Sequence, residues 1–205
     1  RTSVRFYGTA PEHIFAANHF INHKYKVISE IGSGTFGRVY KCSYKHTTYA
    51  VKVLHCTNAA QYKSVKQELR NINHIGHSDH IIKTHEYFSI NKYPNHFAIV
   101  LEYATDGTLL QKLKTIVPFK DFETIKNWMV HIAISLQIIH KKGLIHREIK
   151  PENILLAWNG FIKLGGFSIS RQSECAITYV GNFLYMAPEI NMLSSYRSEE
   201  RRVGK

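Results

Sequence analysis

Very little in these 205 residues is sulfur-bearing, acidic or continuously apolar. The three cysteines, Cys42, Cys56 and Cys175, are far apart and odd in number. That argues against a disulfide or zinc framework and for a reducing setting, so an intracellular, cytoplasmic protein is expected. No apolar stretch approaches the roughly 18 residues of a membrane span. The opening residues do not read as a signal peptide, and the first residue is Arg1 rather than methionine, which leaves the natural start open. Acidic residues number 15 against 27 Lys and Arg, a net charge of +12. A basic surplus can point to nucleic acid, membrane or acidic partners. Here the cations are scattered, with no long Lys/Arg run and no zinc-finger spacing, so neither nucleic acid nor membrane is expected as a partner. With 44% apolar and 12% aromatic residues the chain is globular, and its length suits one ordinary domain or a small two-lobed one.

What is present centres on His146-Arg147-Glu148-Ile149-Lys150-Pro151-Glu152-Asn153. This polar cluster lies between a helical stretch ending at Lys141-Lys142-Gly143 and the strand-like Ile154-Leu155-Leu156. Such a cluster is costly unless it is hydrogen-bonded or functional, and a satisfied histidine in a polar loop is the plain alternative. Upstream, residues 25–31 alternate like a half-buried strand and run into Gly32-Ser33-Gly34-Thr35-Phe36-Gly37. A lone G-x-G-x-x-G also occurs in dinucleotide folds, where it must open a helix. Here β-branched and aromatic runs at 38–44 and 47–54 flank a Lys45-His46 turn, so the glycines belong to a strand–turn–strand. In Ala50-Val51-Lys52-Val53, a strand aims Lys52 opposite to Val51 and Val53. Residues 61–75 read as a helix with Val65, Leu69, Ile72 and Ile75 at helical spacing, Leu69 and Ile72 in the core. Glu68 is the only acidic residue between Val53 and His77. Strands are expected at 81–90 and 96–101 around the turn Lys92-Tyr93-Pro94-Asn95. The longest helical pattern, 122–140, places Ile125, Met129, Ile132, Leu136 and Ile139 on one face, read as a core stripe. A strand at 161–164 leads into Gly165-Gly166-Phe167-Ser168.

In this order the motifs resemble the eukaryotic-type protein kinase domain, Ser/Thr branch, over about residues 25–190. Residues 146–153 resemble the catalytic loop His-Arg-Asp-x-Lys-x-x-x-Asn, Ala50–Val53 the Val-Ala-Ile-Lys strand, and Tyr185-Met186-Ala187-Pro188-Glu189 the Ala-Pro-Glu motif. Glu102-Tyr103-Ala104 resembles the hinge, with Leu101 as gatekeeper. The resemblance implies an α+β, two-lobed protein-kinase-like fold. Residues 1–24 would be an N-terminal extension and 25–104 a small lobe of five strands and one helix, with the hinge. Residues 105–196 would be a helical large lobe cut short. It also implies ATP and Mg²⁺. Ile31, Gly32, Gly34, Gly37, Val39, Ala50, Glu102 and Ala104 would surround the nucleotide. Lys52 would meet the α- and β-phosphates and pair with Glu68, Lys150 would meet the γ-phosphate, Asn153 would supply a metal oxygen, and Glu148 would act as base. Thr178 is the best phosphosite candidate, ahead of Tyr179 and Ser173, with Arg147 to receive the phosphate.

Several positions depart from that pattern. Glu148 stands for the catalytic Asp, Gly166 for the metal-binding Asp, Ser168 for a Gly and Asn182 for a Thr. Glycine cannot ligate a metal. The extra methylene of Glu148 displaces its carboxylate, and misplacement on the order of 1 Å can cost about 10²-fold in rate. The expectation is therefore a Ser/Thr-type kinase domain fragment that binds ATP but transfers phosphate poorly, a pseudokinase working through an unidentified protein partner. The alternative is an active Ser/Thr protein kinase transferring the ATP γ-phosphate to protein hydroxyls, with Glu148 or another carboxylate substituting. Finally, Arg197-Ser198-Glu199-Glu200-Arg201-Arg202-Val203-Gly204-Lys205 resembles a translated sequencing adapter and is set aside from the fold reasoning as an artefactual tail.

Overall fold

The computed structural model describes residues 15–34, 37–115, 121–167, 171–172 and 185. The chain divides into two compact units, one within residues 1–62 and 84–103, the other within 63–83 and 104–205. Ser168, Ser173, Cys175, Thr178, Tyr179, Asn182, the Ala-Pro-Glu motif and the tail 197–205 lie outside the described residues.

The first unit is an antiparallel sheet of β1 (Phe20–Ile21), β2 (Tyr25–Gly34), β3 (Gly37–Tyr44), β4 (Thr47–His55), β5 (Thr84–Ser89) and β6 (His96–Glu102). The order across the sheet is β1-β2-β3-β4-β6-β5. Alternation along β2, β3 and β4 sends Tyr25, Val27, Tyr40, Cys42, Val51 and Val53 into one cluster, joined by Ile90, Ala98 and Val100. Cys42 and Cys56 are free and buried, as a reducing setting allows. The β3–β4 turn has both central residues left-handed, Lys45 at φ 45° and His46 at φ 63°, the twist that two-residue hairpins favour. The sheet has six strands where five were expected. The additional strand, β1, is two residues long, too short for any alternation to reveal, yet Ile21 and Phe15 are buried in the same cluster. The strand expected over 81–90 is shorter, because Ile81 makes only an isolated bridge, to Leu164.

The second unit holds most of α1 (Ala59–Ile75), then α2 (Leu109–Thr115) and α3 (Phe122–Lys141), and the short strands β7 (Leu144–Ile145), β8 (Ile154–Leu156), β9 (Ile162–Leu164) and β10 (Arg171–Gln172). Asp121 caps α3, its carboxylate accepting the Thr124 N–H at 3.1 Å. Gly143, at φ 66°, ends the helix with its N–H bonded to the His140 carbonyl. The buried faces of both long helices differ from the apolar stripes in the sequence. On α1 the buried residues are Val65, Glu68, Asn71 and Ile75, while Leu69 and Ile72 are half-buried. On α3 they are Trp128, Ser135 and Ile139, while Met129 is 63% exposed. The physical reason lies in partners rather than hydropathy. Ser135 Oγ donates to the carbonyls of His80 and His131, both at 2.8 Å, and Asn71 Oδ1 accepts from Gln67 at 2.8 Å, so these polar groups are buried at little cost. With its Trp128–Ser135–Ile139 face turned inward, α3 packs on β7 and β9.

Candidate functional site

The sheet positions the residues expected around a nucleotide. Cross-strand registers pair Gly32 with Val39, Val39 with Lys52, and Lys52 with Ile99, so these four stand in one row across the sheet. Directly paired residues share a face, and that face is opposite to the one where Val51 and Val53 are buried. Ala50, two residues from Lys52 and 8% exposed, lies on the same face opposite Lys41 and Leu101. Ile31 is 38% exposed beside Gly32. Gly34 and Gly37 pair where β2 and β3 meet. The two outer glycines of the motif do different things. A Cβ on Gly32 would find only Val39, at 3.8 Å, whereas one on Gly37 would lie 2.0 Å from the Val53 carbonyl oxygen. Gly37 is thus required by the sheet itself. Glu102 ends β6 opposite Tyr49, and the Ala104 carbonyl accepts the Gly107 N–H at 3.4 Å.

In the second unit the polar cluster is a braced loop. His146 is fully buried; its Nε2 bonds the Gly165 carbonyl at 2.8 Å, and its Nδ1 accepts the Glu148 N–H at 3.3 Å. Both bonds require neutral imidazole with the proton on Nε2. Burial pushes its pKa down to about 4, with His140 adding to the shift and the Gly165 bond opposing it. Its ring stands edge-on to Phe167, 5.0 Å between centroids. Arg147 adopts φ 69°, a left-handed turn rare for a non-glycine residue. The Glu148 carboxylate is held by Lys150 Nζ at 2.6 Å, both side chains about one-fifth exposed. Asn153 Nδ2 donates to the Glu148 carbonyl at 2.9 Å, and the Asn153 carbonyl accepts the Gly165 N–H at 2.9 Å. The loop and residues 165–167 are therefore tied at three places. Glu68 is 5% exposed within α1.

One feature went unread in the sequence. Gly166 adopts φ 81°, and a Cβ there would lie 2.4 Å from Asn153 Cγ. The Asn153 amide fills the space that a side chain at 166 would need. A glycine between Gly165 and Phe167 signals a missing side chain but not what takes its place.

Residues 25–201 match the family model for the protein kinase domain. The chain belongs to the protein kinase domain family. Among similar proteins, the Aurora kinase of Schizosaccharomyces pombe is 35% identical over 173 residues, 81% of this chain and 47% of that protein. The mouse serine/threonine-protein kinase Nek3 is 34% identical, over 81% of this chain and 33% of its own length. Human ribosomal protein S6 kinase alpha-3 is 30% identical, over 82% of this chain and 23% of its own length. The kinase chain thus spans about half or less of these relatives. In fold it is similar to the crystal structure of a kinase domain, with a TM-score of 0.81 at 24% identity, covering 89% of this chain and 62% of that one. The expected α+β kinase fold is therefore the one observed.

Kinases as a family use ATP and Mg²⁺. The described residues of the second unit offer few oxygens for such a metal. Gly166 offers no oxygen from a side chain, Asn153 offers one amide oxygen, and the Glu148 carboxylate is engaged by Lys150. Among the described residues no group of three or more His, Cys, Asp or Glu is gathered for a metal ion. Also among them, no helix is long and apolar enough to cross a membrane.

Proposed function

We propose that this kinase domain binds ATP and transfers its γ-phosphate weakly or not at all, acting as a pseudokinase for a protein partner. The observation that carries the reading is the Asn153 side chain lying where a residue-166 side chain would stand. Metal-assisted phosphoryl transfer needs hard oxygen ligands held in place, and here the metal site is weakened to one amide oxygen. The nucleotide-binding residues of the sheet remain of the expected types. Gly32, Gly34 and Gly37 would lie along the phosphates, Val39 and Ala50 against the adenine, and Glu102 and Ala104 would offer backbone groups to its edge. Lys52 would hold the α- and β-phosphates. ATP supplies the phosphoryl group and the protein supplies charge and position. Thr178 remains the proposed phosphosite, with Arg147 as its receiver.

Thermal shift of the full chain with ATP, with and without Mg²⁺, tests the binding half. Stabilisation of similar size in both conditions is expected, and no stabilisation in either sinks the reading. A working Ser/Thr kinase is the second reading, favoured by the carboxylate that Glu148 keeps in the loop. Labelled-phosphate transfer to Ser/Thr peptides, abolished by Lys52→Met, would establish it over the first.

A further inference from the structure

We propose that a cavity beside the β5–β6 turn, on the sheet unit, binds an acidic peptide segment of a partner protein through one aromatic or aliphatic anchor side chain. The cavity measures about 300 Å³, the volume at which ligand-holding clefts begin. Its apolar wall comes from Phe15, Phe20, Ile90 and Tyr93. Its polar lining includes Lys92, His19 and His23, and no Asp or Glu takes part among the described residues.

Three observations favour a built site over a surface dimple. The wall is preformed: Phe15 stands edge-on to Tyr40 at 5.8 Å and to Tyr93 at 5.4 Å, and the Tyr93 N–H bonds the Ile90 carbonyl at 2.9 Å. The segment that shapes it is held in unfavourable backbone. Asn18, Asn22 and His23 have φ of 68°, 53° and 56°, and such conformations persist where the surroundings over-determine them, often at binding sites. An apolar anchor is already missing its cover, since Phe20 is 52% exposed on the outermost strand of the sheet, where an extended peptide can lie alongside β1.

Charge selects the occupant. Lys92 Nζ lies 5.9 Å from the Tyr93 ring centroid, so a cation flanks the aromatic wall, and nothing acidic among the described lining residues answers it. An anionic segment gains from that field. A second copy of this chain, at +12, is repelled by it.

The test is fluorescence anisotropy on the full chain with three labelled pentapeptides, Glu-Glu-Phe-Glu-Glu, Lys-Lys-Phe-Lys-Lys and Glu-Glu-Ser-Glu-Glu. The first is expected to bind at least tenfold more tightly than either of the others. Lys92→Glu and Phe20→Ser each change an exposed side chain, and each should weaken that binding at least fivefold while leaving the melting temperature and the ATP-induced shift unchanged. Equal binding of all three peptides, no binding of any, or indifference to Lys92→Glu overturns the proposal. So does a dimer in sedimentation that Phe20→Ser dissolves, since the occupant is then a second copy.

Discussion

The row around Lys52 and the loop around Glu148 hold the residues expected for one family's chemistry, and they differ in how far their residue types depart from that family's pattern. In the sheet, Gly32, Val39, Ala50 and Lys52 all keep the types that the kinase resemblance implies; Val39, Ala50 and Lys52 are fixed by register on both sides and Gly32 on one. In the loop, Glu148 and Gly166 depart from it, yet the segment is no looser: His146, Asn153 and Gly165 still bond it together. The contrast separates two kinds of constraint. A residue whose backbone is walled in by other backbone cannot change without breaking the element. A residue that presents a side chain to a ligand can change when a neighbour refills the space, and Asn153 does so at 166.

The largest expected effect is at Gly37. Gly37→Ala places a methyl 2.0 Å from the Val53 carbonyl oxygen, and β4 is pinned between β3 and β6. Overpacking against backbone of this kind should cost about 3 kcal/mol or more. Gly32→Ala meets nothing nearer than 3.8 Å and should stay within about 0.5 kcal/mol. Urea denaturation of the two variants decides the matter. Equal losses would mean that both glycines are set by the same constraint, and the distinction drawn above fails.

Second comes a difference in acid sensitivity. Buried His146 titrates near 4 in the folded chain against 6.5 when free. The unfolded chain takes up the proton first, so the contribution is whole above 6.5 and is lost as the pH falls toward 4. The full loss is about 3 kcal/mol, and on the order of 2 kcal/mol should be gone by pH 5. His131 in the same unit is also held below its usual range by burial and by His80, and adds in the same direction. In the sheet unit, His55 is lowered by burial and by stacked His96, but it is half-exposed and solvent screening shrinks its effect. Histidine-selective NMR between pH 8 and 4 should find the His146 imidazole still neutral at pH 5. Its protonation near 6.5 without unfolding would show the loop to be open to water.

These two cases also mark how far the residues announce the structure. The strands β2 to β4, the face of Lys52 and the position of the 146–153 loop were legible, because period-two alternation and fixed motif order survive without tertiary context. The buried faces of α1 and α3 were not. Periodicity ranks Leu69 and Met129 above Glu68 and Ser135, but burial follows hydrogen-bond partners that lie far off in the chain, such as the His80 carbonyl for Ser135. β1 was illegible because two residues carry no period. At 166 the departure was plain and its consequence was not, since the filling group comes from thirteen residues upstream.

Third is the coupling between Gly166 and Asn153. Gly166→Ala sets a Cβ against Asn153 Cγ at 2.4 Å and at φ 81°. Asn153 must then leave the Glu148 carbonyl. The expected cost is about 2 kcal/mol, roughly half from left-handed strain and half from the broken hydrogen bond. In an Asn153→Ala background only the strain should remain, giving a coupling of about 1 kcal/mol in a double-mutant cycle. Gly166→Asp meets the same obstruction, so restoring the carboxylate should destabilise the loop. Additive single and double variants would mean that Asn153 does not fill the site in solution.

The smallest effect compares two left-handed residues, one in each unit. His46, at φ 63°, is exposed at the tip of the β3–β4 hairpin, and its side chain has no described bond. His46→Gly removes left-handed strain of about 1 kcal/mol and gives part of it back in the greater freedom of the unfolded chain, so a net gain near 0.5 kcal/mol is expected. Arg147, at φ 69°, is half-buried within the braced loop. Arg147→Gly relieves the same strain but also strips out a long, half-buried side chain, so the sign should reverse and stability should fall. Chemical denaturation of both variants at pH 7.5 separates them. If the two changes have the same sign, backbone strain alone governs both sites and the loop is no more committed to its side chains than the hairpin is.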